Sequence, residues 1–296
     1  MAGRPARGSR IPLLAKEAFS LTVFQAVVMA VLQGVTELFP ISSLGHAVIL
    51  PRLLGWSIDQ KAPDFLPYLV VMHLGTATAL FLYFWRDWFS FGGSLLARSS
   101  PRSRADRRTF FYVVLATIPA VVVGFAFERK LGAAFGTPAI AAFFLIANGF
   151  VLYISDQIAG EGVGVLDQLN WKGALAIGCA QCLALIPGFS RSGLTIAAGV
   201  VAGLKHEDSA RFSFLMATPI ILGATVLEAP KLLRQGATLG GAAILSGVVA
   251  GLVAYASLAF LMRYFHKHEF KAMRPFSYYC AAAGLLSLAV MVFFRT

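Results

Sequence analysis

Two short stretches concentrate the residues that could do chemistry in an otherwise apolar chain. In the first, Gln33, Glu37, Ser42, Ser43 and His46 fall within fourteen residues. Gln33 and Glu37 are four apart and share one helix face. Pro40 ends that helix, and Ser42-Ser43 can cap the arm that follows. His46, three residues after Ser43, falls in the first turn of that arm on the same side, a spacing that suits a nucleophilic serine and its base. The rival assignment makes His46 the nucleophile, or the base for water with Ser43 only a ligand. In the second stretch, Pro187-Gly188 leads into Ser190-Arg191-Ser192-Gly193, with Thr195 in the first turn of the next arm. The Arg191 guanidinium is a fork of donors matched to phosphate oxygens. The backbone N–H groups opening that arm add an anion-binding helix terminus. An arginine in apolar surroundings needs an anion, which is either Glu37 or a substrate phosphate. A carboxylate, a Ser–His pair and an arginine are the parts of phosphoryl transfer: metal ligand, nucleophile or base, and charge clamp.

The elements that position these residues belong to a membrane. Of 296 residues 58% are hydrophobic and 13% charged, and the mean hydropathy is +0.74; a soluble domain has about a quarter of its residues charged. Spans are expected near Phe65–Trp85, Phe110–Phe127, Pro138–Ile154, Phe212–Leu227, Gly240–Met262 and Phe276–Phe294, each close to the ~20 residues that cross a bilayer as a helix. Leu21–Leu54 and Trp171–Leu204 are different. Each is a short apolar arm, a polar Pro/Gly/Ser knot and a second short arm, tolerated at membrane depth only under cover of protein or a water-filled cavity. Gln33 precedes Pro40 by seven residues, Gln181 precedes Pro187 by six, and three ordinary spans follow each knot. The expected fold is therefore an all-α polytopic membrane protein: about six transmembrane helices plus two re-entrant helical hairpins in an inverted-topology repeat, with the binding site between the matching interruptions. A basic tail covers 1–20, the first half 21–160 and the second 161–296, in one membrane domain. The arginines of Arg86–Arg108 and the basic residues of Arg263–Arg274 place both loops on the cytoplasmic side. The same count puts both termini outside, against the basic Arg4, Arg7, Arg10 and Lys16.

Other readings are weaker. A net charge of +11 points to nucleic acid in a soluble protein, but here the charges sit between apolar runs, so no nucleic-acid partner is expected. The N-terminus resembles a signal peptide, but no small-residue cleavage site precedes Gln33-Gly34-Val35-Thr36-Glu37, so it is kept as mature chain. Cys179 and Cys182 form a CxxC without a second pair or a histidine ligand, and read as small packing residues. His73 reads as a helix–helix hydrogen bond within a span. Glu128 and Glu228 end apolar runs at an interface, and Trp85 and Trp88 with Arg86 mark another.

The first stretch, Gln33-Gly34-Val35-Thr36-Glu37-Leu38-Phe39-Pro40-Ile41-Ser42-Ser43-Leu44-Gly45-His46, resembles one signature of the undecaprenyl-diphosphate phosphatase (bacitracin-resistance) family. Pro187-Gly188-Phe189-Ser190-Arg191-Ser192-Gly193-Leu194-Thr195 resembles the other, and the likeness runs from about Phe24 onward. It implies a multi-pass enzyme of the bacterial inner membrane that removes one phosphate from the C55 lipid diphosphate, with its site opening outward and with dependence on a divalent cation, Mg or Ca. Carried over by residue, Glu37, Ser43, His46 and Arg191 would be catalytic. Gln33, Ser42, Gly188, Ser190, Ser192, Gly193 and Thr195 would bind substrate, and Glu37 with Gln33 would bind the metal. Gln33 stands where the family's first acidic residue can be, so the metal site leans on Glu37; Leu44 replaces a hydroxyl found in some members. The partners implied are the polyprenyl diphosphate and membrane lipids, with a homodimer left open. Acid-phosphatase-like lipid phosphatases also use Ser-Gly-His and Ser-Arg clusters, but their Lys-containing motif and later histidine are missing. A transporter or flippase for an anionic lipid or small anion shares the repeat and the buried arginine, yet has no need of a nucleophile beside a base. A scaffold explains none of the buried ionisable residues.

Overall fold

The computed structural model describes residues 21–56, 58, 65–96, 100–134, 137–158, 164–234 and 241–293. The basic segment 1–20 and the side chains of Glu128 and Glu228 lie outside them. Eleven α-helices follow in order among the described residues: α1 Val23–Thr36, α2 Ser43–Leu53, α3 Phe65–Tyr83, α4 Trp85–Leu96, α5 Pro101–Ala134, α6 Pro138–Ile158, α7 Trp171–Gln181, α8 Arg191–Val201, α9 His206–Arg234, α10 Gly241–Lys267 and α11 Arg274–Phe293. A 3-10 turn, Cys182–Leu185, continues α7. No strand forms among these residues; a helix satisfies its own backbone, as lipid requires.

Five stretches are long and apolar enough to cross a membrane: Pro101–Phe127, Pro138–Ile158, His206–Val226, Gly241–Lys267 and Arg274–Phe293. A sixth is long and apolar enough only as a bent pair, Tyr68–Tyr83 with Trp85–Leu96, whose axes differ by 69°. These are the six regions expected from the hydropathy. The arms around the knots are short: α1 has 14 residues and α2, α7 and α8 have 11 each. At 1.5 Å per residue these reach about 16–21 Å, less than a ~30 Å hydrocarbon core. The stretch 86–108, expected to be a loop, is instead largely helical. Phe91 and Ser94 of α4 are buried while Phe89 and Leu96 are exposed, so α4 is amphipathic. Arg107 donates from Nε and Nη2 to the Ser94 carbonyl at 3.1 and 2.6 Å, serving the C-terminal end of α4.

The outside of the bundle is apolar and much of its inside is polar. Phe125, Phe150, Leu252 and Val292 are exposed, whereas Gln33, Glu37, Thr76, Asn148 and Ser213 are buried. That distribution suits lipid as the surrounding solvent. With no water to drive helices together, close van der Waals packing must do so. α3 and α10 meet through Gly75: a Cβ there would lie 2.0 Å from the Gly247 carbonyl oxygen. A buried ion pair, Glu37–Arg191, and a buried hydrogen-bonded pair, Asp156–His206, tie elements together. In the second, Asp156 Oδ1 is 2.9 Å from His206 Nε2, and Oδ2 accepts from the Met273 N–H at 3.0 Å, joining α6 and α9 to the turn before α11. The exposed pairs Arg211–Asp87 and His266–Glu207 contribute ~0–1 kcal/mol each, whereas removing one partner of a buried ion pair costs about 3–5 kcal/mol.

Because backbone, not a flexible side chain, faces Gly75, Gly75→Val is expected to destabilise the fold by about 1–3 kcal/mol or more. Thermal unfolding in detergent checks this; an unchanged midpoint would show that α3 and α10 can separate at no cost.

Candidate active site

Both knots are built from the same local pieces. Glu37 is the C-cap of α1, its N–H bonded to the Gln33 carbonyl. After Pro40, Ser42 adopts φ 70°, and its Oγ accepts from the Gly45 N–H at 3.1 Å, capping α2. In the second knot Gly188 takes φ 105°, and Ser190 Oγ accepts from the Gly193 N–H, also at 3.1 Å, capping α8. Ser43 and Arg191 therefore hold the same place, the first residue of an 11-residue helix behind a serine cap. A non-glycine residue at positive φ carries a strain of roughly 1–3 kcal/mol that the surrounding packing must hold. Here the strained residue is Ser42, immediately before Ser43.

The knots press directly on one another. A Cβ on Gly45 would meet the Gly188 Cα at 3.2 Å, and one on Gly193 would meet the Pro40 carbonyl at 3.2 Å. Ser192 Oγ donates to the Phe39 carbonyl at 3.0 Å. Asn148 of α6 bridges them: its Nδ2 donates to the Pro40 carbonyl and its Oδ1 accepts from the Ser190 N–H, both at 3.0 Å.

Glu37 is the centre of the arrangement. Its Oε1 takes the Arg191 Nη2 at 2.9 Å. Its Oε2 accepts from Ser43 Oγ at 2.6 Å and from Gln33 Nε2 at 3.1 Å, and His73 Nε2 stands 3.5 Å away. The Glu37 side chain is 6% exposed. These contacts form one end of a cavity of about 340 Å³ lined by Glu37, Ser43, His73, Ser190 and Arg191. Leu69 and Val70 of α3, Leu185, and Ile220, Ile221 and Ala224 of α9 line its apolar remainder. Its size suits a small-molecule site, with few polar groups and much apolar wall.

Of the expected residues, the fold brings Gln33, Glu37, Ser43 and Arg191 together and leaves His46 apart. His46 Nδ1 donates to the Ser42 carbonyl at 2.7 Å, and Nε2 is 2.8 Å from the Tyr279 hydroxyl, with the two rings stacked. The expected Ser43–His46 contact does not form. Three residues advance a helix by about 300°, so the two side chains diverge by about 60°; Ser43 turns to Glu37, and His46 turns to α11. Ser42 and Ser190 are caps, Ser192 serves Phe39, and Thr195 Oγ1 pairs with Ser213 Oγ at 2.6 Å. Gly188 is packed against the Ala141 carbonyl, where a Cβ would fall 2.2 Å away. His73, read from the sequence as a helix–helix hydrogen bond within a span, does reach a polar group on another helix, and that group is the central carboxylate. Its one sequence signal was an ionisable residue inside a span; Tyr279 gave none.

Glu37 and Gln33, the residues that the family likeness assigns to a divalent cation, meet at Oε2 of the carboxylate, 3.1 Å apart. Ser43, Gln33 and His73 crowd Oε2, while Oε1 meets Arg191 alone. Against a carboxylate, Gln33 must present its NH2 rather than its carbonyl, so it adds no oxygen ligand there. Among the described residues no three His, Cys, Asp or Glu side chains converge as a ligand set.

The family model for the bacitracin resistance protein BacA matches residues 26–286. The chain belongs to this family. An undecaprenyl-diphosphatase of Acidiphilium cryptum (strain JF-5) is 52% identical over 281 residues, covering 92% of this chain and 99% of that protein. The undecaprenyl-diphosphatase of Granulibacter bethesdensis is 50% identical over 290 residues, covering 93% and 98%. An undecaprenyl-diphosphatase 2 of Chromobacterium violaceum is 45% identical over 271 residues, covering 90% and 98%.

Asn148 is fully buried and serves both knots, so Asn148→Ala leaves the Ser190 N–H without a partner and the Pro40 carbonyl with only the weak Cys280 thiol donor at 3.7 Å. A loss of roughly 2–4 kcal/mol is expected, at ~1–3 kcal/mol for each unmade buried bond, read as a lowered unfolding midpoint in detergent. No loss would mean that the knots hold together without the bridge.

Proposed function

We propose that the protein hydrolyses undecaprenyl diphosphate to the monophosphate and inorganic phosphate. This would return the lipid carrier to cell-wall synthesis and confer resistance to bacitracin. The names of its relatives support the reaction. The observation that carries the chemistry is the Glu37 carboxylate, which holds a serine hydroxyl and an arginine fork at the polar end of an apolar cavity. The diphosphate would lie at that end, and the polyprenyl tail would leave between α3 and α9.

In this scheme Ser43 Oγ attacks the terminal phosphorus and gives its proton to Glu37 Oε2, which already accepts it at 2.6 Å. The bond from that phosphorus to the bridging oxygen breaks, and the lipid monophosphate leaves. Water then hydrolyses the phosphoserine and releases inorganic phosphate. Arg191 would turn its fork to the phosphoryl oxygens, stabilising charge that grows in the transition state; its Nη1 is buried without a protein partner. A divalent cation would be held by Glu37, whose Oε1 meets Arg191 alone, and would neutralise charge on the diphosphate.

The two halves, 21–160 and 161–296, are read as an inverted repeat meeting at this site, supported by the matched caps of α2 and α8. With the arginine-rich side cytoplasmic, α9 runs outward from His206, and Ala224 lies about 27 Å along it at 1.5 Å per residue. That depth supports a cavity opening toward the outer face of the inner membrane.

Purified protein in detergent is expected to release phosphate from the C55 diphosphate. Glu37→Gln should lower the rate by about 10³-fold and Arg191→Lys by about 10²-fold, since an ammonium lacks the bidentate fork, with normal folded yield for Arg191→Lys. A Glu37→Gln protein as active as wild type would end this scheme.

A further inference from the structure

The serine, the carboxylate and the arginine all come from the two knots. His73 does not: it sits on α3, 36 residues beyond Glu37, and reaches the same carboxylate from the opposite wall of the cavity. Its ring is fixed at the far end, because Nδ1 donates to the Leu69 carbonyl at 2.8 Å in its own helix. With the Nδ1 proton committed to the Leu69 carbonyl, Nε2 can donate toward Glu37 Oε2, 3.5 Å away, only when the ring carries a second proton, so it is as imidazolium that His73 meets the carboxylate. Oε2 is also the oxygen that holds Ser43. The side chain of His73 remains 30% exposed and lines the cavity, so it bounds both the carboxylate and the space next to it. His46, the histidine within the signature, is turned to Tyr279 and lines none of this cavity.

We propose that His73 is a positioning residue of the phosphatase site: an N–H donor on α3 that fixes the Oε2 edge of Glu37 so that Ser43 stays aligned on it. This rests on the hydrolytic reading above. Arg191 restrains one oxygen of the carboxylate and Gln33 approaches from the preceding turn of the same helix. At the Oε2 edge, His73 is the contact that comes from outside both knots. Without that brace the carboxylate can rotate about its terminal torsion, which is broad for sp³–sp² bonds, and the Ser43 hydroxyl loses its fixed acceptor. The cost falls on the chemical step rather than on substrate binding. Small misplacements of a reacting group are expensive in rate even when affinity is kept.

The test compares His73→Gln with His73→Met. Both replacements are unbranched and of similar length, and only glutamine carries an N–H donor. With C55 diphosphate in detergent, His73→Gln is expected to keep kcat within about threefold of wild type, while His73→Met loses about tenfold or more with KM within about twofold. A purely structural role would instead lower the unfolding midpoint and yield of both variants and leave no gap between their kcat values. If His73→Met does not accumulate, His73→Leu takes its place as the donor-free variant. Equal kcat for the glutamine and the donor-free variant, or a loss seen only in KM, overturns the proposal. An inactive wild-type protein would instead defeat the hydrolytic reading on which it rests, so the two failures are distinguishable.

Discussion

The ionised Glu37 carboxylate, buried between the two knots, is the constraint around which the site is arranged. An unpaired buried carboxylate is too costly to keep, so Glu37 must be met by donors. The fold supplies them from separate places: Gln33 one turn earlier, Ser43 at the start of α2, Arg191 at the start of α8 and His73 on α3. Only when the two knots and α3 are assembled is the charge satisfied. Folding of the halves and formation of the site are therefore the same event. The group that makes the site expensive is also the one positioned to take a proton from a serine.

Holding that arrangement needs backbone that is neither helix nor strand, and such backbone survives in lipid only under cover. The knots cover each other. Serine caps close the starts of α2 and α8, Asn148 bridges the Pro40 carbonyl to the Ser190 N–H, and the hydroxyl of Ser192 serves Phe39. Many of the polar residues of the signatures are consumed in this way. They make the turns possible, and that leaves a small set free to face the cavity. The strained Ser42, at φ 70°, marks where the packing overrides local preference to aim Ser43.

The cavity joins two media. Its polar end can meet phosphate oxygens, and its walls of leucine, valine and isoleucine from α3 and α9 can meet a polyprenyl chain. A lipid diphosphate has the same division. The outer surface of the bundle is apolar and the buried interior carries the serines, threonines and amides. A tail leaving between helices then passes from apolar wall to lipid without crossing a polar layer.

The sequence alone determined the solvent and much of the architecture. The apolar regions, the two stretches broken by a polar knot and the serine-capped arms after Pro40 and Pro187 all follow from hydropathy, proline and cap residues. These are local signals, read within a few turns of the chain. It also placed Gln33 beside Glu37, because four residues return a helix to the same face. It was misleading where direction mattered. Ser43 and His46 are three apart, yet one faces Glu37 at the end of α1 and the other α11, because a 60° difference in azimuth meets different neighbours. His73 could not be assigned from an isolated span, since its partner lies on another helix and depends on how α3 packs against the first knot. The surroundings of Glu37 were hidden for the same reason. Only the assembled structure shows that donors from three other elements meet it. Distances between elements far apart in sequence are set by packing, and packing is decided only in three dimensions.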